Sequence, residues 1–125
     1  MSSKKQLGQW GEDLAAKFYV DKGYELVDKN YYLKSKKLIA EIDLIVAKDK
    51  EVVFVEVKTR TSKAYGYGEQ AVNYSKKQKI SKAINQFCTL NEKYDDYFPR
   101  FDIMVVEVMD LIPKFIHFEN IELNC

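Results

Sequence analysis

The stretch from Ile39 to Arg60, IAEIDLIVAKDKEVVFVEVKTR, constrains the fold more than any other part of the chain. Its residues alternate in character with a period of two and are rich in valine and isoleucine, the pattern of two β-strands. Asp49–Lys50 supplies a polar two-residue turn between them. A symmetric turn at this point pairs Lys48 with Glu51 and fixes every pairing outward from it. Carried to the end, that register sets Asp43 opposite Glu56 and Glu41 opposite Lys58. One face then holds Glu41, Asp43, Glu56 and Lys58 beside Ile45, Ala47, Val52 and Phe54. The other face holds Ile42, Leu44, Val46, Val53, Val55 and Val57 and is wholly apolar. Like charges facing each other weaken a strand pair, and half-buried carboxylates repel unless a cation neutralises them. This hairpin therefore calls for a counter-ion.

The remaining chain supplies a frame for the hairpin. Leu7, Trp10, Leu14 and Phe18 recur at three- and four-residue spacing, with Ala15 filling the same side, which predicts a helix from Lys4 to about Lys22 with Gly23 ending it. Glu12 sits beside that stripe among Gly8, Ala15, Ala16 and Tyr19, small neighbours that allow close approach to another surface. Tyr24 to about Leu33 reads as a strand, and Lys34–Lys37 (KSKK) as a solvated turn. Thr61 to Gly68 reads as a loop, with Tyr67 able to stack on a base. Glu69–Tyr74 opens a second helix, and Ser75 with Gln78 fits a capping box. Ile80, Ala83, Ile84, Phe87 and Cys88 continue it to about Lys93. Lys76, Lys79 and Lys82 form a basic stripe near its start, with Lys77 beside them. Pro99 closes a polar connection, Phe101–Val108 reads as a central strand, and Phe115–Ile121 as a last, less central one. His117 is read as a packing or surface residue. The order is helix, three strands, helix, strand, short strand.

At 125 residues the chain suits one domain over residues 1–125. Its 46% hydrophobic and 31% charged content is that of an ordinary globular protein. A net charge of +1 gives no global field to attract nucleic acid, so any such attraction falls to local lysines. Cys88 and Cys125 lack the spacing of a metal or redox motif, and are expected to be reduced thiols of a cytoplasmic protein. No run is long and apolar enough for a membrane span.

The chemistry the hairpin suits is phosphodiester hydrolysis. Carboxylates are hard oxygen donors for Mg²⁺ or Mn²⁺, and such an ion both activates water and offsets phosphate charge. Asp43 and Glu56 form the leading ligand pair, with the Val57 backbone carbonyl as a further ligand. Lys58 is placed to orient the attacking hydroxide or stabilise developing charge, and Glu41 or Glu12 to complete the set. Arg60, Lys76, Lys79 and Tyr67 are the expected nucleic-acid contacts.

Asp43 followed by Glu56–Val57–Lys58 on paired strands, after a helix bearing Glu12, resembles the PD-(D/E)XK nuclease superfamily, although Ile42 stands where its proline would be. More narrowly, the chain resembles the YraN-like family (uncharacterised protein family 0102). The matching segments are Gly8–Ala15, Gly23–Tyr24, Asn30–Tyr31, Glu41–Ile45, Val53–Arg60, Gly66 with Lys76, and Arg100–Asp102. Ala40 and Asp28–Lys29 depart mildly from its pattern. The resemblance implies an α/β fold, a restriction-endonuclease-like domain whose mixed central sheet is flanked by helices in the order αβββαβ, plus a short C-terminal strand. It further implies a Mg²⁺-type site at Asp43, Glu56 and Lys58, with Glu12 and Glu41 close by. The expected activity is that of a metal-dependent endonuclease. The expected partner is DNA rather than RNA, branched or single-stranded forms included, with a homodimer as an accessible state and no membrane. The alternatives are a non-catalytic nucleic-acid-binding module and a scaffold subunit retaining the fold.

Overall fold

The computed structural model describes residues 3–61 and 73–123. Helix α1 (Lys4–Asp21) is followed by strands β1 (Glu25–Lys34), β2 (Leu38–Lys48) and β3 (Glu51–Arg60). Helix α2 (Tyr74–Leu90), a short 3₁₀ turn (Glu92–Tyr94), β4 (Phe98–Glu107) and β5 (Lys114–Phe118) are the remaining elements among the described residues. The five strands form one mixed sheet in the order β1-β2-β3-β4-β5. Among the described strands, β3 and β4 pair in parallel and the other neighbours pair antiparallel. This is an α/β architecture with the expected element order. Among the described residues, no helix is long and apolar enough to cross a membrane.

Local chemistry explains most element ends. Ser3 accepts from the Gln6 amide while the Gln6 side chain accepts from the Ser3 amide, a capping box that starts α1. Gly23, at φ 94°, lies just past the Lys22 cap, where a left-handed residue commonly ends a helix. The β2–β3 turn puts both Asp49 (φ 51°) and Lys50 (φ 65°) in the left-handed region, the conformation that matches the twist of a two-residue hairpin. Helix α2 is capped by Asn73, whose side chain accepts from the Lys76 amide. Ser75, the expected cap, lies inside the helix instead, because Asn73 already meets the same need two residues earlier. Pro99 lies within β4, paired with Val52, rather than before it.

The two helices cover opposite faces of the sheet. Ile80, Ala83, Ile84 and Phe87 of α2 pack with Ile42, Ile45, Val52, Phe54 and Val105. Ala15, Ala16 and Tyr19 of α1 pack with Leu44, Val46, Val53, Val55 and Met104. The residues that α1 buries fully are thus Gly11, Ala15, Ala16 and Tyr19; of the expected stripe, Leu14 and Phe18 pack partly buried beside them, while Trp10 is 48% exposed. Small residues win because they let the backbone come close. A Cβ added at Gly11 would stand 1.8 Å from Thr59 Oγ1 and 3.0 Å from Thr59 Cβ on β3.

The C-terminal part of α1 is pinned by a buried polar network on β4. Asp102 Oδ1 accepts from Arg100 Nε at 3.0 Å and from the Asn120 amide at 3.0 Å. Its Oδ2 accepts from Tyr19 Oη at 2.9 Å and Arg100 Nη2 at 3.0 Å, and lies 2.7 Å from His117 Nε2. Arg100 also reaches Tyr24 Oη and Glu51, each at 3.1 Å. Burial alone would raise the Asp102 pKa, but His117 and Arg100 outweigh it and hold the carboxyl below its ordinary range. Asp102, His117 and Glu119 have their ligand atoms close together. The lone pairs of Asp102 are nevertheless already taken by protein donors, so the cluster serves as an anchor.

Gly11→Ala should destabilise the protein by about 1–3 kcal/mol, the usual cost of overpacking. Adding Thr59→Ala should recover most of that loss. Urea unfolding of the two variants and the parent checks both outcomes.

Candidate functional site

Strand β2 does not keep one phase of alternation along its length. Ala40 and Ile42 belong to the α2-side core, as do Ile45 and Ala47, whereas Leu44 and Val46 belong to the α1 side. The phase changes at Asp43. Across from it on β1, between the pairs Lys29–Leu44 and Tyr31–Ile42, Asn30 adopts φ 54°. Asparagine is one of the few non-glycine residues that enter this region readily. The pairing of β2 with β3 follows the expected register from Lys48–Glu51 but ends at Leu44–Val55, although both strands run on. Asp43 is therefore not paired with Glu56, nor Glu41 with Lys58. Instead Asp43 Oδ2 accepts the Val57 amide at 2.8 Å, taking the place of a main-chain acceptor.

This break divides the acidic residues into two groups. Ligand oxygens of Glu12, Glu41 and Asp43 all lie within 4.8 Å of one another. Glu12 reaches this position because α1 sits so close to the sheet at Gly11, and Asn30 Nδ2 donates to its Oε1 at 3.1 Å. Glu56 belongs to the second group. Its Oε1 lies 3.2 Å from Lys58 Nζ and forms a short ion pair with Lys76 Nζ of α2, while its Oε2 is buried without a hydrogen-bond partner among the described residues.

Members of both groups, Glu41 and Asp43 from the first and Glu56 and Lys76 from the second, border one cavity of about 510 Å³. Glu41, Asp43 and Glu56 line one wall, and Asn73, Ser75, Lys76 and Lys79 from the start of α2 line the other. The positive end of a helix dipole and two lysines thus face three carboxylates. Burial, opposed by the Val57 amide and reinforced by Glu41 and Glu12, pushes the Asp43 carboxyl up to about 8. Burial also raises Glu12, with the Asn30 hydrogen bond opposing and Glu41 adding to it. A crowded carboxyl that keeps its proton at neutral pH is one that a cation can relieve. Three carboxylate donors beside an orphaned buried oxygen fit a hard divalent ion such as Mg²⁺ or Mn²⁺.

Of the residues expected from the sequence, the structure brings Asp43, Glu41 and Glu12 into one cluster, with Glu56, Lys58 and Lys76 beside it. Lys79 lines the cavity. Val57 enters through its amide, and Arg60 is half-buried at the end of β3, away from the cavity lining. Tyr67 lies outside the described residues, as do most of the expected 61–68 loop and Cys125. Cys88 is a free, half-buried thiol. Asn30 was not singled out for the site; its signal is a poor strand former at the centre of a strand.

The chain matches the sequence profile of uncharacterised protein family UPF0102 over residues 11–106. It belongs to that family. A UPF0102 protein of Caldanaerobacter subterraneus subsp. tengcongensis is 44% identical over 104 residues, covering 83% of this chain and 81% of the relative. Another, from Alkaliphilus oremlandii, is 38% identical over 117 residues, covering 93% and 97% respectively. The UPF0102 match spans every residue of the acidic and lysine groups described above.

The raised Asp43 carboxyl makes the stability of the metal-free protein depend on pH. Between the ordinary carboxyl range and about pH 8 the unfolded chain has lost this proton and the folded chain retains it. Its contribution is fully present below that window and is lost as pH rises through it, at up to ~1.4 kcal/mol per pH unit. Asp43→Asn should flatten the decline and stabilise the protein at pH 8, as read from Tm measured between pH 5 and 9 in chelator.

Proposed function

We propose that this protein is a metal-dependent nuclease of the PD-(D/E)XK type that hydrolyses phosphodiester bonds in DNA. The observation that carries this reading is the convergence of Glu12, Glu41 and Asp43, the last two of which line a cavity shared with the lysine-bearing start of α2. The order of elements, with the acidic hairpin at the centre of the sheet and α1 contributing Glu12, supports a restriction-endonuclease-like core.

In this reading Glu12, Glu41 and Asp43 hold the divalent ion, with Glu56 within reach. The ion supplies an activated water and charge neutralisation at the phosphate. The protein's own groups do the rest. The Val57 amide fixes the orientation of Asp43, and Asn30 that of Glu12. Lys58, anchored on Glu56, sets an ammonium beside the reacting region, where it offsets charge that grows on the phosphate oxygens. Lys76 and Lys79 face the cavity and suit the phosphate backbone of a nucleic acid.

A second reading, a nucleic-acid-binding module without turnover, is favoured by one observation: Lys58 and Lys76 already neutralise Glu56, so half of the acidic site stands without a metal.

Linear, flapped, junction and single-stranded DNA, and the corresponding RNA, incubated with Mg²⁺ or Mn²⁺ decide between the two. The nuclease reading expects cleavage that falls at least about 100-fold in Asp43→Ala and Glu56→Ala. Salt-sensitive binding with no cleavage of any substrate would establish the second reading instead.

A further inference from the structure

Glu56 is held by more positive charge than it needs. Lys58, two residues along the same strand, reaches Oε1 at 3.2 Å and by itself balances one carboxylate. Lys76 reaches the same oxygen from the opposite wall of the cavity. The Glu56 side chain is 13% exposed and that of Lys76 39%, so one partner is fixed in place and the other sits at the end of a flexible stem open to solvent. The second carboxylate oxygen of Glu56 is buried with no partner among the described residues, a coordination position left unused while both ammonium groups crowd the first.

We infer that Lys76 is a resident counter-cation that shares its seat on Glu56, in turn, with a divalent ion. It occupies Glu56 in the metal-free protein, leaves when the ion engages that carboxylate, and carries its charge to a phosphate in the same cavity. The inference rests on the nuclease reading and adds a coupling to it. Metal and Lys76 compete for Glu56, while metal and phosphate help each other, because each favours the state in which Lys76 has moved. That coupling is reciprocal by thermodynamic necessity.

The test is calorimetric titration of MnCl₂ into the whole protein, with no substrate present. Lys76→Met should bind Mn²⁺ about tenfold tighter than the parent, the scale on which a neighbouring opposite charge alters a carboxylate. Lys76→Arg should stay near the parent. Lys77→Met, which removes the same charge from the same helical turn, should change affinity less than about twofold, since distant charges act through solvent. In a Glu56→Gln background the gain from Lys76→Met should vanish, because the two residues then no longer interact. Thymidine 5′-monophosphate should tighten Mn²⁺ binding to the parent and leave Lys76→Met unaffected.

Mn²⁺ binding to the parent with no gain in Lys76→Met would overturn the exchange while leaving the nuclease reading in place. Equal gains in Lys76→Met and Lys77→Met, or a gain that persists with Glu56→Gln, would likewise overturn it in favour of a general field. A nucleotide effect that is absent from the parent, or present equally in both proteins, would overturn the phosphate transfer. No Mn²⁺ binding by any variant would overturn the metal-dependent reading itself, and the exchange with it.

Discussion

Helix α1 lies on the sheet at a distance set by the hydrogen atom of Gly11, since any larger group would run into Thr59. Much of the local geometry follows from that contact. The next residue, Glu12, is lowered into reach of β1 and β2, where Asn30 holds one of its oxygens and the carboxylates of Glu41 and Asp43 lie close by. Two turns further along, Tyr19 bonds to the buried Asp102, which Arg100 and His117 also hold. The helix is thus fixed by shape near its middle and by charge-assisted hydrogen bonds toward its C-terminal end. Its larger apolar side chains are left to flank the contact rather than form it.

The hairpin carries its charges by separating them. Asp43 meets two other carboxylates, one of them Glu12 from α1, and keeps a proton. Glu56 is turned toward α2 and keeps two lysines. A proton and a lysine ammonium are both replaceable monovalent partners, so each half of the site is stable alone yet ready to give up its neutralising group. Buried charges held in this way are costly compared with apolar packing, which is the physical reason to seek a use for them in chemistry rather than in stability.

Much of this was legible in the sequence. Period-two alternation located β2 and β3, and Asp49–Lys50 located their turn and its register as far as Leu44–Val55. The order of elements and the membership of Asp43, Glu56, Lys58, Glu12 and Glu41 in one region also came through. What failed was the assumption of unbroken alternation. A single left-handed residue, Asn30, sits in the neighbouring strand opposite the point where β2 changes phase, and no periodicity within β2 announces that. The apolar stripe of α1 misled for a related reason: hydrophobicity marks what should be buried, whereas the closest contact goes to residues that take up least space. The partnership of Lys76 with Glu56 joins residues from separate elements, and a lysine stripe looks the same whether it faces water or a carboxylate.

The one parallel pairing in the sheet has a consequence for the order in which the protein assembles. Strands β1, β2 and β3 meet through short turns, so their pairing involves only local loop closure. Joining β3 to β4 instead brings Glu51 to Phe98 and must wait for α2 and the chain around it to cross the sheet. Non-local pairings of this kind are slow to form. During that interval the wall that α2 provides is missing, and Glu56 is still solvated. The acidic hairpin therefore acquires its secondary structure early and its electrostatic character late, when α2 brings Lys76 onto Glu56.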